Sequence, residues 1–168
     1  MVARRSQATL APVVAVLAAL LLVPTAFAGD RGDDDLWATV NVCDTEGHPD
    51  TIGIRGSMPG TGRREDRMYM RFVVQYRAAD GAWRALSTGG DSGWVRVGHG
   101  GWGARQSGYS FRVRPPSGRV RLRGLVRFEW RRGRRVVRRE TRATEAGHRS
   151  TAGADPRGYS RGTCIVRA

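Results

Sequence analysis

The chain has 168 residues and a formal net charge of +14, and all 29 of its basic residues are arginine. This length favours a single domain once any targeting segment has been removed. The two cysteines and three histidines do not occur at the spacing of a zinc site, so we expect neither a bound metal nor another cofactor.

Residues 1–28 have the three parts of a secretory signal peptide. A basic start at Arg4 and Arg5 precedes an almost unbroken apolar run over residues 10–23, and an Ala-Phe-Ala cleavage site ends the segment. This pattern predicts export and cleavage. The alternative is an uncleaved membrane anchor, for which the run is short, because a helix needs about 20 apolar residues to span a bilayer.

The mature chain is therefore expected to be secreted and to begin at Gly29, by either the general secretory or the twin-arginine route. Residues 29–35 are polar and acidic, and we expect this segment to be flexible because nothing in it anchors to a core. Residues 36–168 are expected to form one domain.

Alternation of apolar and polar residues, the period of a strand with one buried face, recurs along this domain. Seven or eight short strands are predicted, with one irregular edge strand and no helix. The strand segments are 36–43, 51–55, 68–77, 83–86, 109–114, 119–130, 136–142 and 163–166, and the irregular strand is 94–97. The segments 44–50, 63–67 and 143–162 are predicted to be loops, as is the rest of 87–108.

The clearest period lies at residues 119–130. Even positions from Val120 to Trp130 are apolar or glycine, and odd positions are charged except for Leu125. A glycine-centred turn at 131–135 then leads into a strand that runs back. A hairpin with one apolar face is not stable alone in water, so we predict an all-β fold, a single antiparallel β-sandwich.

Two parts of the chain resemble fibronectin type III domains. Residues 71–77, followed by Asp80-Gly81 and Trp83, are similar to the middle strands of that family, and residues 110–113 followed by 119–130 are similar to its late strands. The resemblance implies a fibronectin III-like or immunoglobulin-like sandwich. It implies binding, spacing or assembly as the role and carries no active site.

Cys43 and Cys164 lie near the two ends of the mature chain. Export would place them in an oxidising compartment, where a cysteine pair is expected to bond. The alternatives are two free buried thiols or a metal site. A disulfide would hold the first strand close to the last and would stabilise the fold by about 4–5 kcal/mol in the chain-entropy model.

The last strands carry a dense series of arginines. We take the candidate polyanion-binding residues to be Arg127, Arg131, Arg132, Arg134, Arg135 and Arg138. Such a surface would attract anionic cell-envelope polymers, glycans or extracellular nucleic acid, and another secreted protein is a further possible partner. The alternative is that the arginines only solubilise strand faces, with codon bias explaining why none of them is lysine.

A glycine-rich stretch supplies a candidate ligand loop with Trp94, His99 and Trp102, because exposed tryptophans stack on sugars and bases. The alternative is a plain connecting loop. The three histidines fall in predicted loops, and no Gly-x-Ser-x-Gly elbow accompanies them. We therefore predict a non-enzymatic binding module. The alternative is a structural or assembly domain without a small ligand, and a secreted hydrolase is the less favoured third hypothesis.

Overall fold

A computed structural model describes residues 35–148 and 152–168. The predicted signal peptide and residues 29–34 of the predicted acidic segment lie outside these described residues, so both remain predictions. None of the described residues forms a helix long and apolar enough to cross a membrane.

The described part of the chain forms nine strands. They are β1 (Trp37–Thr45), β2 (His48–Met58), β3 (Arg63–Arg77), β4 (Trp83–Ala85), β5 (Asp91–Gly100), β6 (Arg105–Arg112), β7 (Arg119–Arg132), β8 (Arg135–Ala143) and β9 (Cys164–Arg167). One sheet has the order β1-β2-β6. The second has the order β4-β3-β7-β8, with β5 also paired to β3 and β9 also paired to β7. Every one of these strand pairings is antiparallel, and the predicted β-sandwich is confirmed.

The core lies between the two sheets. The alternation of apolar and polar residues that predicted β3 and β7 places the apolar side chains of these strands in it. The side chains that these two strands contribute to the core are Met68, Met70, Phe72, Val74, Leu122, Val126, Phe128 and Trp130. From the first sheet, Ala38, Val40, Ile52, Ile54, Met58 and Phe111 pack against them. The buried indole of Trp130 donates a hydrogen bond of 2.9 Å to the carbonyl of Pro59, so its one polar atom is satisfied.

Gly124 lets the sheets approach each other at the centre of β7. A Cβ at this position would lie 2.7 Å from side-chain carbons of both Ile54 and Thr144. The space that a side chain at position 124 would occupy is therefore taken by Ile54 of the opposite sheet. This close contact explains why a glycine stands in the apolar series of β7.

Two of the predicted loops, 44–50 and 63–67, are wrong. Residues 44–50 form a tight hairpin, because β1 continues to Thr45 and Thr45 pairs with His48. The residues of this segment favour turns, so the sequence pattern did not predict the strand pairing. Asp44 and Asp50 both adopt positive φ, at 45° and 57°, and the Asp44 carboxylate accepts the Asp50 N–H at 2.9 Å.

The charged segment 63–67 is the first part of β3 rather than a loop. Its charges misled the prediction because Asp66 points toward the core and is neutralised there by Arg132 of β7. The glycine-rich segment around 94–97 is also more regular than predicted. β5 runs over ten residues and pairs with β3, with Gly98 (φ 151°) at an irregularity in the ladder.

The disulfide between Cys43 and Cys164 is confirmed, with a Cα–Cα distance of 5.4 Å. It joins β1 of the first sheet to β9 of the second, as the position of the cysteines predicted. The segment before β9 also covers the free edge of β1, where Val40 and Arg161 exchange two backbone hydrogen bonds of 2.8 and 3.1 Å. The last strand is thus anchored to the first covalently and through backbone pairing.

Replacing both cysteines by alanine is expected to lower the free energy of unfolding by about 2–5 kcal/mol, because the crosslink restricts the unfolded chain. Urea unfolding with and without reductant measures this. Reductant should lower the stability of the wild-type chain and leave the variant unchanged. Equal unfolding midpoints for the oxidised wild-type chain and the variant would contradict the expectation.

Gly124→Ala is expected to lower the free energy of unfolding by about 1–3 kcal/mol, because the new methyl group overfills the contact with Ile54 and Thr144. The control is Gly101→Ala, where an added Cβ meets nothing nearer than the Arg64 Cγ at 3.9 Å. Thermal unfolding of the two variants should separate them clearly, and an equal loss in both would argue against close packing at Gly124.

Candidate polyanion-binding face

The outer face is defined here as the side of the second sheet that points away from the first sheet. Alternation along β7 places its odd-numbered residues there, and pairing aligns them with β3, β5 and β8. One row across the face consists of Trp94, Arg71, Arg127 and Thr141, and the next consists of Arg96, Tyr69, Glu129 and Arg139. The face therefore combines arginines with aromatic rings.

Glu129 is held between two arginines of this face. Its side chain is only 3% exposed. Arg131 Nε donates to one carboxylate oxygen at 2.7 Å and Arg139 Nε to the other at 2.8 Å. The Arg131 guanidinium also lies 4.3 Å from the ring centre of Tyr69 and 5.0 Å from that of Trp94. Burial alone would raise the pKa of Glu129, but the hydrogen bonds from Arg139 and Arg131 outweigh it and lower the pKa.

Asp66 is held in a similar way at the end of the core. Its carboxylate is 1% exposed and accepts hydrogen bonds from Arg132 Nε at 2.7 Å and from Arg132 Nη2 at 3.1 Å. The hydroxyl of Thr61 donates to the same carboxylate at 2.8 Å. The Arg132 hydrogen bonds lower the pKa of Asp66 despite its burial. Arg132 therefore neutralises an acid that the fold has buried.

The six predicted polyanion-binding arginines do not share one surface. Arg127 and Arg131 lie on the outer face, whereas Arg132 lies on the opposite side of β7 because even and odd positions alternate. Arg138 packs over the Trp130 ring at 4.7 Å, with Glu140 3.4 Å from its Nε.

The remaining two, Arg134 and Arg135, lie at the turn between β7 and β8. The guanidinium groups of Arg127, Arg134 and Arg135 form no hydrogen bond or ion pair with any other residue in 35–148 or 152–168, although the charge of Arg127 helps to lower the pKa of Asp91. Half of the predicted set is therefore engaged by carboxylates of the chain itself, and half has its guanidinium available.

A shallow groove of about 480 Å³ lies on the outer face. It is lined by Trp94, Leu125, Arg127, Glu129, Arg139 and Thr141. The groove brings together Trp94, predicted for a ligand loop, and Arg127, predicted for a polyanion site. Sequence reasoning missed Thr141 in this role and treated Arg139 only as part of a basic stretch, because their position opposite β7 depends on the register of β8.

The other two residues of the predicted ligand loop lie elsewhere. His99 donates from Nδ1 to the Arg64 carbonyl at 3.0 Å and accepts at Nε2 from Arg96 Nη2 at 2.9 Å. Trp102 lies between β5 and β6, is 86% exposed and covers Gly62. His99 lines a separate cleft with Arg64 and Arg105, so neither residue joins Trp94.

The histidines are also far apart in the fold. His48 Nδ1 lies 2.9 Å from the Asp155 carboxylate, whereas the ring of His148 stacks on Trp37 at 4.5 Å. Burial lowers the pKa of His148. No three His, Cys, Asp or Glu side chains are grouped as a metal ion would require among residues 35–148 and 152–168.

No protein-family model matches the chain, and no curated protein sequence matches it. The function of this protein must therefore be inferred from the residues of the outer face.

The lowered pKa values of Asp66 and Glu129 predict acid sensitivity. Their stabilisation is complete above the ordinary carboxyl pKa and is lost as the pH falls through the lowered values of the folded state. The contribution of these two carboxylates to the free energy of unfolding should be nearly constant from about pH 7 to about pH 5 and should fall below about pH 4.

Asp66→Asn and Glu129→Gln should each lower stability at pH 7 by about 1–3 kcal/mol, because arginine donors lose a charged acceptor. Each should also flatten the acid limb of stability, measured by chemical unfolding at each pH. The control is Glu46→Gln, in the exposed hairpin turn after β1, which should change neither. An acid limb as steep as that of the wild type in both variants would contradict the assignment.

Proposed function

We propose that this protein is a secreted, non-enzymatic binding module whose outer face binds an anionic polymer of the cell envelope or its surroundings. The observation that carries the proposal is the groove in which Trp94 and Arg127 lie together, since no carboxylate of the described chain pairs with Arg127. Secretion is supported by the sequence pattern of residues 1–28 and is compatible with the disulfide.

The chemistry of the groove favours anionic groups on a ring-containing or stacked polymer. A guanidinium bonds phosphate, sulfate or carboxylate through a planar fork. The neighbouring indole offers a flat apolar surface for a sugar or base. Salt should weaken such binding strongly, because arginine contacts release counterions from the polymer.

We also infer that the sandwich belongs to the immunoglobulin-like or fibronectin III-like group. Strand order supports this inference: β1, β2 and β6 correspond to strands A, B and E of such a sandwich, and β3, β7 and β8 to C, F and G. Domains of this group expose binding surfaces on sheets or loops, and their fold does not by itself define a ligand.

The test variant is Arg127→Ser with Arg134→Ser and Arg135→Ser, which removes only arginines that no described carboxylate holds. The control is Arg105→Ser with Arg112→Ser and Arg157→Ser, from β6 and the segment before β9, which gives the same net charge. Arg131 and Arg132 are left in place because removing them would take one of two arginine partners from Glu129 and the only arginine partner among the described residues from Asp66.

Binding to acidic wall polymers, sulfated glycans and single-stranded DNA is measured at low and high salt. We expect steep salt dependence for the wild type. The test variant should bind at least about tenfold more weakly than the control, with a salt slope lower by about two to three, one for each lost contact. Equal weakening of both variants would mean that net charge alone acts, and salt-independent binding would exclude the proposed chemistry.

A second candidate function is a structural or assembly domain without a small ligand. It is favoured by the use of Arg131, Arg132 and Arg138 to pair with carboxylates of the chain. Under this hypothesis the arginines solubilise and stabilise the sandwich, and the two variants should bind polyanions equally.

A further inference from the structure

A second group of arginines lies on the outer face, at the end of β7 opposite the groove. Arg77, Arg119, Arg121 and Ile165 line a cleft of about 330 Å³. Arg121 pairs with Ile165 in the ladder between β7 and β9. Because the disulfide anchors Cys164 to β1, the neighbouring Ile165 is held in place as an apolar floor beside the arginines.

No carboxylate of the described chain neutralises this cleft. The side chains of Arg77, Arg119 and Arg121 form no hydrogen bond or ion pair with any other residue in 35–148 or 152–168. The closest acid to Arg77 along β3 and its turn, Asp80, pairs instead with Arg84 at 2.5 Å. The positive charges of the cleft are therefore uncompensated by the fold.

Arg123 adds to the positive charge beside the cleft. Its Nε donates to Gln75 at 2.8 Å, and its guanidinium lies 4.5 Å from the Trp83 ring centre, with Arg77 5.3 Å from the same ring. Burial lowers the pKa of Arg123, and the charge of Arg77 lowers it further. Two positively charged guanidinium groups thus lie against the same Trp83 ring, with no carboxylate of the described residues between them.

The groove end of the outer face differs in this respect. There Glu129 pairs with Arg131 and Arg139, and Asp91 accepts a forked pair of hydrogen bonds from Arg71 at 2.8 and 2.5 Å. At that end, Arg71, Arg131 and Arg139 each have a carboxylate partner within the chain. Among residues 35–148 and 152–168 the cleft has no carboxylate partner, so an anion that neutralises it must come from outside these residues.

We propose that this cleft binds an anionic group of the same polymer that the groove binds, so that the ligand is a linear polyanion lying along β7. This inference rests on the proposed function. Its shared chemistry is a repeated carboxylate or phosphate oxygen group, which the planar fork of each arginine accepts.

The geometry sets a minimum length for such a ligand. Arg121 and Arg127 are six residues apart on β7, which is about 20 Å at the rise of an antiparallel strand. A shorter polyanion reaches the groove or the cleft but not both. A longer one engages both, and the second contact becomes intramolecular with an effective concentration in the millimolar range.

The experiment measures affinity by calorimetry at low salt for glutamate oligomers of about two to about twelve residues, since about six extended residues span 20 Å. Short and long inorganic polyphosphates form the second arm and separate phosphate from carboxylate recognition. Each series is run with the wild type, with Arg119→Ser/Arg121→Ser and with the control Arg112→Ser/Arg157→Ser, which removes the same charge elsewhere.

For the wild type and the control we expect a step of at least about tenfold in affinity once the oligomer exceeds about six residues. The cleft variant should bind short oligomers as the control does and lose the step. A smooth rise with length in the wild type, or a step that persists in the cleft variant, would overturn the inference.

A direct measurement does not depend on any variant. Titrating inorganic phosphate into the wild-type protein should shift the side-chain Nε–H NMR signals of Arg119 and Arg121 and saturate, whereas shifts spread evenly over all exposed arginines would overturn the cleft. If no acidic polymer of the panel binds at low salt, both the proposed function and the cleft assignment fail. If long polymers bind without a length step, only the cleft assignment fails.

Discussion

β3 pairs with β7 over eleven consecutive positions, from Asp66 opposite Arg132 to Tyr76 opposite Leu122. On one face these two central strands supply eight of the 17 buried core residues in the described part of the chain, and on the other face they carry arginines such as Arg71 and Arg127. Because side chains alternate strictly along a strand, a slip of one residue would place guanidinium groups in the core and apolar groups in water. The same register therefore determines the core and the composition of the outer face.

Arginine has two different physical roles in this sandwich. Arg131 and Arg132 neutralise Glu129 and Asp66, whose burial would otherwise leave uncompensated charge, and an arginine fork meets both oxygens of a carboxylate. Arginines such as Arg134 and Arg135 have no carboxylate partner among the described residues, and their side chains are exposed. Net charge counts both roles equally, so the +14 of the chain overstates the charge that the protein can offer to a ligand.

Much of the fold could be predicted from local pattern. Strands with strong alternation, above all 68–77 and 119–130, were located well because a single residue period determines their faces. The charged start of β3 and the hairpin around Glu46 could not be predicted in this way, because distant residues contribute to both: Arg132 pairs with Asp66, and Asp155 bonds Thr45 and His48 beside the turn. Asp66 is suited to a strand only because Arg132 lies opposite it.

The candidate site was predicted in its residue types but not in its arrangement. The sequence indicated Trp94 and Arg127 for two different sites, and the groove contains both. Their proximity depends on β5 and β7 flanking β3 in register, which no local pattern reports. For the same reason the cleft was not foreseen, since Arg77 and Arg121 come from strands whose pairing had to be known first.

By itself the sequence determined the all-β class, the disulfide between the terminal strands and the faces of the strongest strands. Those features follow from residue period, cysteine number and the predicted export signal, which can be read from the chain before it folds. Only the tertiary structure decided which arginines are neutralised and which are available. That distinction depends on distances of a few ångströms between residues such as Arg132 and Asp66, which are far apart in the chain and are brought together by sheet register.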